Sequence, residues 1–113
     1  MRQLLPIVLL LMSLKTSAQT EGYASIYSKS LCGGPTASGK KLNCEALTAA
    51  HRTYSLGTKL RVTNLKTHNS VIVTINDRGP FTKKFIIDLT PSAAEAIGLN
   101  YKQGIMKVRI EKL

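Results

Sequence analysis

Chemistry that moves protons needs carboxylates or histidines, and this chain has few of either. Its acidic residues are Glu21, Glu45, Asp77, Asp88, Glu95 and Glu111; its histidines are His51 and His68. Glu21 and Glu111 lie toward the two ends of the hydrophilic part of the chain, and Glu95 falls on the polar side of a short helix. All three read as solvated surface charges, which leaves Glu45, Asp77 and Asp88 as candidate acids. Asp77 closes an apolar run and precedes Arg78-Gly79-Pro80. A carboxyl held between a stiff strand and a fixed turn is well placed to be aimed at a reacting atom. The same position also suits an Asx-type turn, in which the carboxylate only accepts backbone N–H groups, and the residues alone do not separate the two. Asp88, inside Ile86-Ile87-Asp88-Leu89, reads as structural, either capping the helix that follows or pairing with Arg78. His51 follows Leu47-Thr48-Ala49-Ala50 and fits a packed, hydrogen-bonded ring, whereas His68 belongs to a polar loop. These histidines and cysteines lack the spacing of a zinc site. No metal or cofactor is expected, and neither a nucleophile elbow nor a phosphate loop is present.

Short strands must position these groups. Gly22–Tyr27 predicts a first strand with Tyr23, Ser25 and Tyr27 on one face. Ser28–Asn43 is a loop rich in Gly, Ser and Lys. Lys59–Leu65 alternates, with Leu60 and Val62 facing one way and Lys59, Arg61 and Thr63 the other. Val71–Ile75 is β-branched at all five positions, as strands prefer. Phe85–Leu89 predicts another strand, and Met106, Val108 and Ile110 alternate with Lys107, Arg109 and Glu111 in a last one. Between them, Thr90 can cap a helix that opens on Pro91 and stops at Gly98. Closing such strands into a small barrel removes exposed edges, so an all-β class is expected.

The N-terminus has a different character. Arg2, the apolar run Leu4–Met12 and the small-polar stretch ending Thr16-Ser17-Ala18 have the three parts of a secretory signal peptide. The run is too short to span a bilayer, which takes ~20 apolar residues, so no stable membrane insertion is expected after cleavage. Cleavage after Ala18 divides the chain into a signal peptide, 1–18, and one small domain, 19–113. The chain's formal charge is +10; losing Arg2 and Lys15 leaves +8 on the domain. Such a charge attracts polyanions, and for an exported protein these are wall polymers or lipid headgroups rather than nucleic acid. Export also takes Cys32 and Cys44 to an oxidising compartment, where the simplest outcome is one disulfide, stabilising by ~3 kcal/mol in the chain-entropy account.

Taken in order, the segments resemble the rare lipoprotein A family. They are Gly22-Tyr23-Ala24-Ser25-Ile26-Tyr27, Thr36-Ala37-Ser38-Gly39, Leu47-Thr48-Ala49-Ala50-His51, Leu56-Gly57-Thr58, Arg61-Val62-Thr63-Asn64-Leu65, Ile75-Asn76-Asp77-Arg78-Gly79-Pro80-Phe81 and Ile86-Ile87-Asp88-Leu89. Expansins and barwin-like proteins share the barrel more distantly. The resemblance implies a six-stranded double-psi β-barrel with one short helix and an open groove. It implies endolytic lytic transglycosylase activity on peptide-poor peptidoglycan, cleaving the MurNAc–GlcNAc bond with a 1,6-anhydro product, by a monomer in the periplasm or outside the cell. Asp77 matches the family's essential aspartate and His51 its motif histidine. Tyr27, Thr36, Ser38, Arg78 and Pro80 are the implied substrate contacts. The chain departs from the family at Lys40 and Asn43, where members usually carry Glu and often Asp. That departure favours an alternative, a non-catalytic wall-binding or expansin-like wall-loosening module; a barwin-type effector or inhibitor is a third reading. An acid role for Asp77 further requires that Arg78 turn away, for example toward Asp88, or that bound sugar exclude water.

Overall fold

A computed structural model describes residues 19–113; the expected signal peptide, 1–18, lies outside the described residues. Six strands form a closed barrel: β1 (Gln19–Ile26), β2 (Thr48–Ala50), β3 (Lys59–Asn64), β4 (Ser70–Asp77), β5 (Phe85–Leu89) and β6 (Ile105–Lys112). Around the barrel they run β1-β5-β2-β4-β3-β6. The β1–β5 and β2–β4 pairs are parallel; the other four neighbours are antiparallel. This is the six-stranded double-psi arrangement that the resemblance implied, and among the described residues there is one α-helix, α1 (Pro91–Ala96).

The alternation seen in the sequence becomes the core. Leu60, Val62, Val73, Ile75, Ile87, Leu89, Val108 and Ile110 are all buried and converge in one cluster. The helix adds Ala93, Ala94 and the adjoining Ile97 to it. Thr90 caps α1, its hydroxyl accepting from the Ala93 N–H at 3.3 Å, so Asp88 is not the cap. Gly98, at φ +84°, ends the helix. Gly22 marks the tightest crossing of strands: a Cβ there would stand 2.8 Å from Ile86 Cγ2, beside the register shift between Tyr23 and Ala24.

Two pattern expectations give way to tertiary packing. Thr63 does not face outward with Lys59 and Arg61; it is buried, as is Asn64. Asn64 turns inward because its amide closes two gaps at once, donating to the Ile97 carbonyl at 2.8 Å and accepting from Lys66 N–H at 2.8 Å. Tyr27 lies just beyond β1 and is buried, while Tyr23 is exposed, so the three residues Tyr23, Ser25 and Tyr27 do not form one face.

Candidate active site

One end of the barrel carries the candidate chemistry, and strand register explains why. Asp77 pairs with Ala50 across β4–β2, Ala50 with Asp88 across β2–β5, and Asp88 with Ser25 across β5–β1. These four residues form a single row across four strands. The two aspartates are therefore two strand spacings apart, about 10 Å between Cα atoms, with only the Ala50 methyl between them. A groove of about 380 Å³ opens over this row, lined by Tyr27, Leu31, Asp77, Arg78, Phe81 and Asp88 among others.

Asp77 is held at both oxygens. Oδ1 accepts from the Ala37 N–H at 2.8 Å and the Arg78 N–H at 2.9 Å, and Oδ2 from the Tyr27 hydroxyl at 2.6 Å. Two of these three bonds come from backbone N–H groups, one of them from the next residue, and the third comes from a phenol. Tyr27 is fixed in turn by the Tyr101 hydroxyl, which donates to its carbonyl at 2.7 Å. Burial, and then the bond to Asp77, push the Tyr27 phenol far above its ordinary value, so it stays neutral and can donate to a carboxylate or accept from a carboxylic acid.

The loop over Asp77 is built by its own hydroxyls. The Thr36 hydroxyl donates to the Lys40 carbonyl at 2.7 Å and meets Ser38 Oγ at 2.7 Å, while the Ser38 N–H donates to the Asn76 carbonyl at 3.1 Å. Leu42 packs with Tyr27 and Ala50 beneath it, and the Cys32–Cys44 disulfide closes the loop's base with Cα atoms 5.6 Å apart.

Arg78 does turn away, but not to Asp88. Its guanidinium donates to the carbonyls of His51 at 3.1 Å and Tyr54 at 2.6 Å, because the 51–54 turn leaves two carbonyls facing it. Asp88 instead accepts from the Ser25 hydroxyl. Burial above all raises its carboxyl above the usual range, and the charge of Asp77 adds to this; the Ser25 bond and Arg52 oppose it. The groove thus holds a second carboxyl that the sequence reading had assigned to structure. Its signal was positional: Ile86-Ile87-Asp88-Leu89 sets one acid in a strand that is otherwise apolar.

His51 works from behind the groove. Its Nδ1 accepts from the N–H groups of Thr53 and Tyr54, each at 3.1 Å, and its ring centroid lies 4.4 Å from that of Tyr54. The His51 backbone N–H donates to the Asp77 backbone carbonyl at 3.2 Å. Burial, helped by Arg52 and Arg78, lowers its pKa, which agrees with an Nδ1 committed as acceptor. Pro80 is buried, with its carbonyl accepting from Arg52 at 2.8 Å. Of the expected contacts, Tyr27 and Arg78 therefore line the groove with Asp77, Thr36 and Ser38 shape the loop above it, and His51 and Pro80 brace it. Lys40 is exposed.

Residues 19–110 match the family described as lytic transglycolase. The chain is 48% identical over 95 residues to a probable endolytic peptidoglycan transglycosylase RlpA of Nostoc, covering 82% of this chain and 25% of that protein. It is 50% identical over 93 residues to the endolytic peptidoglycan transglycosylase RlpA of Haemophilus influenzae, covering 82% of this chain and 32% of that one. The chain thus spans about a quarter to a third of these relatives. Among solved structures, an expansin of Clavibacter michiganensis superposes with a TM-score of 0.64 at 26% identity, over 85% of this chain and 50% of that one. A Streptomyces papain inhibitor shares the fold, with a TM-score of 0.65 at 16% identity over 85% and 94% of the two chains. On the extent of the family match and the identity to these relatives, the chain belongs to the lytic transglycolase family.

Proposed function

We propose that this chain is an endolytic lytic transglycosylase of peptide-poor peptidoglycan strands, with Asp77 as acid and base. One observation carries the reading: in a chain about half identical to proteins named for that activity, Asp77 is aimed into the groove by three hydrogen bonds, two of them from distant segments and one from the next residue. The proton of the Asp77 carboxyl passes to the glycosidic oxygen as the C1–O bond breaks. The 6-hydroxyl of the same muramyl sugar then bonds to C1, and its proton returns to Asp77. One carboxyl thereby serves both steps. Tyr27, neutral and hydrogen-bonded to Oδ2 at 2.6 Å, can donate to the Asp77 carboxylate and accept from its carboxylic acid. Asp88 is a second titratable group in the groove, and His51 positions the strand end that carries Asp77.

The remaining parts of the reading follow from the substrate. A chain that cuts wall glycan works outside the cytoplasm, so residues 1–18 act as the export signal and 19–113 as the working domain, a monomer that needs no cofactor. Among the described residues no helix is long and apolar enough to cross a membrane. Mass spectrometry of digested peptide-free glycan tests the proposal: 1,6-anhydro ends are expected, and free reducing ends would make it a hydrolase. The wall-loosening alternative is favoured by Lys40, the basic residue where the family usually has Glu. It predicts binding to sacculi with no sugar released.

A further inference from the structure

Phe81 has no place in the mechanism above, yet it is the most exposed large apolar side chain among the described residues, at 89%. Leaving a phenylalanine in water forgoes most of the stabilisation its burial would bring. A lone exposed apolar residue on a loose loop needs no explanation, but Phe81 stands on a fixed stem. Gly79 and Pro80 beneath it are buried, Arg52 holds the Pro80 carbonyl at 2.8 Å, and the Arg78 guanidinium is anchored on two carbonyls. Gly79 adopts φ +130°, which disfavours any side chain there, and a Cβ at that position would stand 3.6 Å from Phe81 Cε2 and 3.7 Å from Asp88 Oδ2. Phe81 Cε2 and Asp88 Oδ2 therefore both border the space beside Gly79. Phe81 lines the same groove as Asp77, and half-exposed Leu31 lines it too.

We infer that Phe81 is a stacking platform for one pyranose ring of the glycan, and so a substrate-positioning and specificity-determining residue. The inference rests on the function proposed above. A hexosamine ring offers a C–H face on one side and hydroxyl, acylamino and ether oxygens at its rim. An aromatic face takes the former and carboxyls the latter, as binding sites combine an apolar wall with a few polar groups. Stacking holds the sugar in a groove otherwise open to water.

The absence of tryptophan from the chain makes the test direct. With peptide-free glycan oligomers as the probe, Phe81→Ala should weaken binding about tenfold and raise KM by the same factor, with kcat within about twofold. Its melting temperature should stay within roughly 2 °C of the unaltered chain, since an exposed side chain is removed. Phe81→Trp should restore affinity, and its single indole should shift its emission to the blue when glycan is added. Phe81→Leu should behave like the alanine variant, because it keeps apolar area but loses the flat face. Unchanged affinity in Phe81→Ala, or full restoration by leucine, overturns the stacking assignment while leaving the proposed function standing. Loss of binding to whole sacculi but not to isolated glycan would instead assign Phe81 to a wall-associated protein, and overturns it as well. If the unaltered chain binds no glycan, both readings fall together.

Discussion

The β3–β4–β6 wall and the groove end of the barrel are held by different forces. In the wall, antiparallel neighbours alternate buried Leu60, Val62, Val73, Val108 and Ile110 with outward residues that are mostly polar, exposed Ile72 apart. At the groove end the apolar cluster shrinks to Tyr27, Leu42 and Ala50, with Cys44 against it. Order there comes from hydrogen bonds between distant segments and from a disulfide. The wall stabilises through area removed from water, which is non-directional. The groove end depends on directed bonds, which aim groups but contribute little net stability each. Damage to the two regions should therefore separate into loss of folding and loss of activity.

The largest effect sought is Asp77→Asn. Asparagine keeps an oxygen for the Ala37 and Arg78 N–H groups but cannot cycle a proton. Cleavage should fall by about 10²–10⁴-fold, measured as anhydro product per hour, with the melting temperature nearly unchanged. Anhydro product at the original rate would remove Asp77 from the mechanism. Leu60→Ala is the mirror experiment. Leu60 is fully buried in β3, so ~2–5 kcal/mol of stability should go in urea unfolding, while activity per folded molecule holds. If activity fell before folding did, the two regions would not be separable.

Replacing Cys32 and Cys44 together with serine tests the boundary between them. The bond closes the base of the loop that carries Ala37 and Thr36, so catalytic loss of roughly tenfold is expected as the Ala37 N–H drifts from Asp77. Stability should fall by ~3 kcal/mol or less. Hydrogen exchange should show the 33–43 segment opening while the strand amides of β3 and β4 stay protected. Uniform loss of protection would mean that the loop and the wall form one cooperative unit.

The smallest effect concerns Asp88 and carries a sign. Its folded-state pKa lies above the unfolded 3.8, so the folded chain binds the proton more tightly than the unfolded one. Ionised Asp88 then costs stability in full above its folded-state value, and the cost fades as pH falls and is gone below about 3.8. Asp88→Asn, which retains an acceptor for Ser25, should raise the melting temperature at neutral pH and leave it unchanged at pH 3. A gain that persisted in acid would point to packing rather than charge.

By itself the sequence determined the strands whose side chains alternate, the Thr90-Pro91 helix start and the Gly98 stop. It did so because burial on one face of a strand or helix writes its period into neighbouring residues. It also singled out Asp77, since an acid at the junction of an apolar strand and a Gly-Pro turn stands out locally. Tertiary structure alone decided that Arg78 would hold the 51–54 turn rather than Asp88, that Thr63 and Asn64 would turn inward, and that Asp88 would share a groove with Asp77. The shared groove hangs on the parallel β1–β5 and β2–β4 pairings together with antiparallel β2–β5, which bring Ser25, Ala50, Asp77 and Asp88 into one row from positions up to 63 residues apart. No local period records such a row, because its members touch only once the barrel has closed.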